Sequence, residues 1–183
     1  MMCCACAQPA RGLCVTCRSS LRPAATRMIA GVLASSAFAH EGTASRLVHN
    51  LKYRRSVAAG RVLAMGMADH IQPDAAYLVP LPRAIGRTVA YGVDPASVLA
   101  GELHAITGVP VAGVITAPVW WRRRAGSSRA ARHGVGFRLK NDPGMHLVLI
   151  DDVLTTGQTA ASAVGAIGRP DISILTATSA GTM

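Results

Sequence analysis

Lysine is almost missing from this chain: Lys52 and Lys140 are the only two among 183 residues. Aromatic side chains are scarce at 4%, charged residues make up only 15%, and half of all residues are apolar. No apolar run is long enough to span a bilayer. Each shortage excludes something. Low charge with high apolar content excludes an intrinsically disordered chain. With no membrane-length run, the protein reads as soluble and cytoplasmic. Few aromatics require a core of Ala, Val, Leu and Ile, which suits helices packed closely on a parallel sheet.

What charge there is has one sign. Nineteen Lys+Arg face nine Asp+Glu, a formal net charge of +10, and nearly all of the excess is arginine. The planar arginine fork suits phosphate oxygens, so the field favours nucleotides, pyrophosphate or nucleic acid. A GC-rich genome produces the same bias, so charge alone does not choose among them. Arg27 followed by Met28 to Ala39 imitates a secretory signal. It lies behind a cysteine cluster that cleavage would discard, and it reads instead as a buried strand.

The chain divides by composition. Residues 1–22 hold all five cysteines and little apolar bulk, and form a separate small unit; residues 23–183 form the main domain. Met28 to Phe38 predicts one or two short strands, broken near Gly31 or the Ser35-Ser36 pair. Helices follow over Thr43–Lys52 and Val57–His70. Tyr77 to Val79 reads as a buried strand. Asp94 is a good N-cap with Pro95 at the first helical position, and this helix runs to Gly108. Val109 to Ile115 predicts another strand, and residues 118–144 a long surface loop. His146–Ile150 (strand), Asp151–Thr159 (polar loop), Ala160–Ile167 (helix) and Asp171–Ala177 (strand) complete an alternation that predicts a parallel α/β sheet.

The clearest chemistry lies between Leu147 and Thr159, LVLIDDVLTTGQT. Its apolar half would be buried on both faces, with Asp151 and Asp152 at the carboxyl end, where open α/β sheets bind ligands. Thr155, Thr156, Gly157, Gln158 and Thr159 then lead into a helix. Free N–H groups at a helix start attract an anion, and glycine lets the backbone approach it closely. Paired carboxylates repel phosphate but accept from vicinal sugar hydroxyls, with a divalent metal able to share the work. The combination spells a sugar phosphate. Neither lysine lies in this region, so a Walker loop is excluded. The aspartyl-phosphate hydrolases space their two aspartates by one residue, whereas these are adjacent.

The cysteines form two C-x2-C pairs, Cys3/Cys6 and Cys14/Cys17, with Cys4 left over. Two such pairs complete a tetrahedral four-thiolate zinc site, a scaffold rather than a catalyst. In a reducing compartment zinc fits this pattern better than disulfides.

Residues 147–159 resemble the phosphoribosyl-pyrophosphate signature of type I phosphoribosyltransferases at every comparable position. The resemblance implies their fold, a parallel sheet flanked by helices. It also implies that Asp151 and Asp152 face the ribose hydroxyls while Thr155 to Thr159 wraps the 5-phosphate. With a zinc-ribbon-like knuckle in front, the chain resembles the ComF family of competence-associated bacterial proteins. Leu51-Lys-Tyr-Arg54 is similar to that family's Lys-Tyr segment, with Arg54-Arg55 where a glycine is common. Val79-Pro80-Leu-Pro82 is similar to its Val-Pro-x-Pro turn, followed by Arg83 and Arg87. Ala90-Tyr-Gly-Val-Asp94 departs from the family's Arg-Gly-Phe-Asn-Gln, and Ala125 to Arg129 departs from its Thr-x-x-Gln segment.

Two expectations follow. The first is a phosphoribosyltransferase, Mg²⁺-dependent and cutting the bond between ribose C1 and pyrophosphate. Asp151, Asp152, Arg83, Arg87 and Arg124 would serve as its catalytic set, the arginines neutralising the leaving pyrophosphate. The second is a non-catalytic module that senses phosphoribosyl pyrophosphate or a related ribose phosphate and docks a competence helicase. In either case Trp120 to Arg124 can close over a site or contact single-stranded DNA weakly through stacking and phosphate pairing. The six histidines share no metal spacing and read as structural or solvated.

Overall fold

The computed structural model describes residues 1–82, 94–117 and 136–181. Among these a five-stranded sheet runs in the order β1-β2-β7-β6-β3. Its strands are β1 (Arg27–Ile29), β2 (Val32–Ala39), β3 (Tyr77–Pro80), β6 (Leu147–Leu154) and β7 (Ile172–Ser179). Only the β1–β2 hairpin is antiparallel; the other three pairings are parallel. A separate antiparallel ladder joins β4 (Ile115–Thr116) to β5 (Arg138–Leu139). The helices are α1 (Val15–Ser19), α2 (Gly42–Arg54), α3 (Val57–Ala68), α4 (Pro95–Thr107) and α5 (Gln158–Ile167). The architecture is thus mixed α/β, with a mostly parallel central sheet flanked by helices.

Strand alternation sorts the core into two layers. Val148 and Ile150 of β6 join Leu175 and Ala177 of β7 beneath α2, α3 and α4, through Leu47, Leu51, Leu63, Met67, Leu99 and Leu103. Leu147 and Leu149 join Ile172 and Ile174 on the opposite face, under Ala160, Ala163, Val164 and Ile167 of α5. All eight residues of β7 are buried, as a central parallel strand requires. Each fully buried leucine contributes about 1.5–3 kcal/mol. Small residues permit close approach: a Cβ on Gly66 of α3 would run into the Phe38 ring.

Several expectations take their observed form here. The break in residues 28–38 falls at Ala30-Gly31, both at positive φ (50° and 82°), as a two-residue primed hairpin turn requires. Ser35-Ser36 stays inside β2, and Ser36 is tolerated at full burial because its Oγ bonds Thr176 Oγ1 at 2.6 Å. Asp94 stands at the α4 N-cap before Pro95, and its carboxylate accepts from the Ser97 hydroxyl at 2.7 Å. The helix starting at Val57 ends at Ala68, two residues before His70.

Val109 to Ile115 does not form the expected strand. Pro110 has no N–H to offer a ladder, and the segment makes one parallel bridge, Leu78 to Val111, before β4 begins at Ile115. The expected loop over 118–144 lies outside the described residues up to 135; beyond them, Arg138 and Leu139 are paired as β5. Residues 1–22 pack on α2: Cys3, Ala5, Leu13 and Cys17 share one buried cluster with Leu47, Val48 and Leu51.

Candidate functional site

The four parallel strands end on one edge of the sheet, at Ala39, Pro80, Leu154 and Ser179. The acid-rich turn lies on this edge. It is shorter than the sequence suggests: β6 continues through Asp151 and Asp152 to Leu154, and α5 already begins at Gln158. Only Thr155, Thr156 and Gly157 lie between. Backbone pairing to β7, Asp151 to Thr176 and Val153 to Thr178, carries the strand past the acids. Gly157 caps α5 in the left-handed region at φ 78°, and a Cβ there would sit 2.5 Å from Ile29 Cδ1. Thr155, Thr156, Gln158 and Thr159 are all exposed at the helix start, where the first-turn N–H groups lack intrahelical partners.

The two carboxylates are not equivalent. Asp152 is 5% exposed, and its Oδ1 lies 2.9 Å from Lys52 Nζ of α2. Asp151 is half-buried and accepts the Asp152 backbone N–H at 2.8 Å. It stands beside Thr176, which is in register with Ser36 on the other side, so the three lie in one row across the sheet. Behind Asp152, His40 Nδ1 meets Thr178 Oγ1 at 2.8 Å, and the Thr178 hydroxyl donates to the Asp152 carbonyl at 3.2 Å. Burial and then the Lys52 charge lower the His40 pKa below its usual 6.5, against the opposing pull of Asp152.

Lys52 and Arg27 reach this edge from elements distant in sequence. Arg27 of β1 reaches across to the turn, where its Nη2 donates to the Thr155 carbonyl. Neither contact is foreseeable from spacing, since the Arg27 pair spans 128 residues. Lys52 is one of two lysines in the chain and lies next to the apolar stripe of α2.

The cysteine cluster forms as its spacing predicts. The sulfurs of Cys3, Cys6, Cys14 and Cys17 all lie within 4.8 Å of one another. Cys6 and Cys14 are 3.7 Å apart, close to the ~3.8 Å edge of a tetrahedron with Zn–S bonds of about 2.3 Å. All five cysteines are free thiols. Tight turns present the sulfurs: Ala7 and Gly12 take positive φ, and the Cys14 N–H points at Cys3 Sγ at 3.4 Å. Burial works against the Cys3 thiolate, but N–H groups of Cys14, Ala5 and Cys6 outweigh it and bring the pKa to about 6. Burial and the neighbouring Cys6 and Cys14 thiols push Cys17 up to about 12. Four crowded sulfurs cannot all ionise without a cation, and the set is compatible with a structural zinc ion, which would supply that charge. Cys4 lies outside the cluster; its carbonyl accepts from Asn50 Nδ2 at 2.8 Å, which ties the knuckle to α2.

A third polar group has the outline of a catalytic triad. His146 contacts Ser173 Oγ through Nε2 and Asp74 Oδ2 through Nδ1, each at 3.0 Å. Its burial is the reverse of a hydrolase's: Ser173 is 8% exposed, whereas the Asp74 side chain is 70% exposed. It also sits at the amino ends of β6 and β7, away from the acid-rich turn. It staples the sheet edge, as the structural reading of the histidines anticipates. Arg83, Arg87 and Arg124 lie outside the described residues, as do Trp120 to Arg123. Comparison of the chain with family models and with curated proteins returns no match.

Proposed function

We propose that the edge formed by Asp151 to Thr159 binds phosphoribosyl pyrophosphate and that the chain transfers the phosphoribosyl group with release of pyrophosphate. On this reading it is a type I phosphoribosyltransferase-like protein of the ComF kind. The observation that carries the proposal is local: a half-buried carboxylate near the end of a central parallel strand stands six residues before a left-handed glycine that caps a ten-residue helix. The anion and sugar-hydroxyl subsites are therefore neighbours. Asp151 would hold the ribose hydroxyls and, with ligand oxygens, a Mg²⁺ ion. Thr155, Thr156, Gln158 and Thr159 would surround the 5-phosphate with hydroxyls and first-turn amides. Asp152 would contribute by fixing the strand end against Lys52. The protein's share of catalysis is positioning and electrostatics.

A second reading, a ribose-phosphate-sensing module that docks a helicase or single-stranded DNA, draws on the Lys52–Asp152 pair, because that pair commits one acid of the two. The two readings separate on turnover and on the salt dependence of DNA binding. Site binding itself is tested by calorimetric titration with phosphoribosyl pyrophosphate, with and without Mg²⁺. Saturable binding strengthened by the metal and weakened at least about tenfold in Asp151→Asn is expected, the loss of one charge-assisted contact. Equal affinity in the variant would remove Asp151 from the site.

A further inference from the structure

Where the knuckle packs on α2, the two leave a cavity of about 480 Å³ between them. One wall is residues 3–7 of the knuckle. The other is a single stripe of the helix, Arg46, His49, Asn50 and Arg54, which the i, i+3, i+4, i+8 spacing places on one face. Ser56, the N-cap of α3, closes one end. None of these residues belongs to the sugar-phosphate site.

The helical wall is cationic and has no carboxylate partner. All nine acidic side chains of the chain lie among the described residues, and none lines the cavity. Arg46 and Arg54 are both exposed. Arg46 makes one hydrogen bond, Nη2 to Thr43 Oγ1 at 2.9 Å, and Arg54 meets no hydrogen-bond or ion-pair partner among the described residues. Two guanidinium forks so placed select an anion. The opposite wall selects against a polyanion. It carries Cys3 and Cys6, and four thiolates around one divalent zinc keep a net negative charge. The occupant must therefore offer isolated negative groups to α2 and N–H-bearing surface to the knuckle. A polynucleotide is charged at every residue, whereas an extended peptide separates its carboxylates with N–H groups. The spacing also agrees. Arg46 and Arg54 lie eight residues apart, about 12 Å along the helix, and carboxylates four residues apart on an extended peptide are separated by about 13 Å on one side of the chain.

We propose that this cavity is a docking site for an acidic peptide segment of a partner protein, with Arg46 and Arg54 each taking one carboxylate. The His49 ring, which leans on Tyr53 with centroids 4.8 Å apart, flanks the peptide between them. The site is independent of the sugar-phosphate reading, and it places partner binding on the helix that also carries Lys52.

The test is fluorescence anisotropy of a labelled twelve-residue peptide of alternating glutamate and glycine, titrated with the zinc-loaded full chain. Wild type is compared with Arg46→Gln/Arg54→Gln and with Arg61→Gln/Arg138→Gln, a control of equal net charge at exposed positions outside the cavity. The expected result is saturable binding by wild type, weakened at least about fivefold in the cavity variant, because two charge-assisted contacts are lost. The control should lose less than about twofold, as exposed charges contribute little. Absence of saturable binding by wild type, or equal affinity in wild type and the cavity variant, overturns the proposal. An equal loss in the control also overturns it and assigns the attraction to the chain's overall charge. Tighter binding of an oligothymidylate of the same charge, with the same dependence on Arg46 and Arg54, overturns it in favour of a nucleic-acid site. Melting temperatures check that the variants fold. Should the cavity variant fail to fold, amide resonances of the wild type decide: the peptide should shift Ala5, Ala7 and residues 46–56, and an unmoved set overturns the proposal.

Discussion

The cysteine knuckle and the acid-rich turn are built on opposite plans. The knuckle draws four cysteine thiols from residues 3–17, and adjacent tight turns bring their sulfurs within 4.8 Å. The strand end has two adjacent acids that the fold makes unlike: Lys52 from α2 engages Asp152, Thr176 stands beside Asp151 with Ser36 on its far side, and Arg27 reaches the following turn from the far hairpin. The difference teaches that a local cluster declares its chemistry through spacing. A site assembled across a sheet declares only the part that lies in one strand. The two regions are also joined, because the helix on which the knuckle packs carries Lys52.

That junction gives the largest expected effect. Replacing Cys14 by Ser, or stripping the metal with a chelator, should release the knuckle from α2 and lower stability by several kcal/mol, since structural zinc binding is worth about 10 kcal/mol or more in isolated knuckles. Metal analysis with thermal unfolding checks it. An unchanged melting point after complete metal removal would show that packing of Leu13 and Ala5 alone holds the unit.

The inequality of the acids comes next. Asp152→Ala leaves the largely buried Lys52 ammonium without its counter-ion and should cost about 3–5 kcal/mol. Adding Lys52→Met should restore much of that, because removing both charges also removes the penalty. Asp151→Ala should cost at most about 1 kcal/mol of stability while weakening ligand binding. Chemical denaturation of the four proteins sharpens the comparison, and equal costs for the two acids would abolish it.

Smaller still is a pH effect through His40. Its pKa is lowered in the folded protein, so below the ordinary value of 6.5 the unfolded chain binds more protons than the native one. Stability is therefore fully present above about pH 6.5 and declines as pH falls toward the folded pKa. In His40→Gln this component of the acid slope should vanish, as denaturation midpoints between pH 7.5 and 5 would show.

The smallest effect concerns the end of α2. Arg55 occupies the left-handed C-cap at φ 54°, a conformation that favours glycine. Arg55→Gly should stabilise the protein by about 1 kcal/mol, the cost of a side chain in that conformation. A melting point that falls instead would mean that the Arg55 side chain makes a compensating contact.

Much of this was legible in the chain because it is local. The C-x2-C pairs, the Asp94-Pro95 helix start and the strand-acid-acid-turn-helix unit each follow from residues a few positions apart. Val109 to Ile115 misled because its apolar run is β-like while Pro110 lacks the N–H that a ladder needs. The turn after β6 was overestimated because polar residues suggest a loop, whereas pairing to β7 extends the strand to Leu154. Lys52, Arg27 and His40 were illegible as site residues: their roles depend on which strand neighbours which, and no spacing encodes that. Residues 1–22 differ from the rest in composition, and composition does not show that Leu13 and Cys17 bury in one cluster with α2.

The most direct test of the sugar-phosphate site uses both regions at once. Backbone amide resonances of the ¹⁵N-labelled, zinc-loaded protein are followed during titration with phosphoribosyl pyrophosphate and Mg²⁺. The account predicts saturable shifts concentrated in Thr155 to Ala160, Asp151 and Arg27, with the amides of Cys3 to Cys17 unmoved. Shifts confined to the knuckle, or none in the turn at saturating ligand, would contradict it.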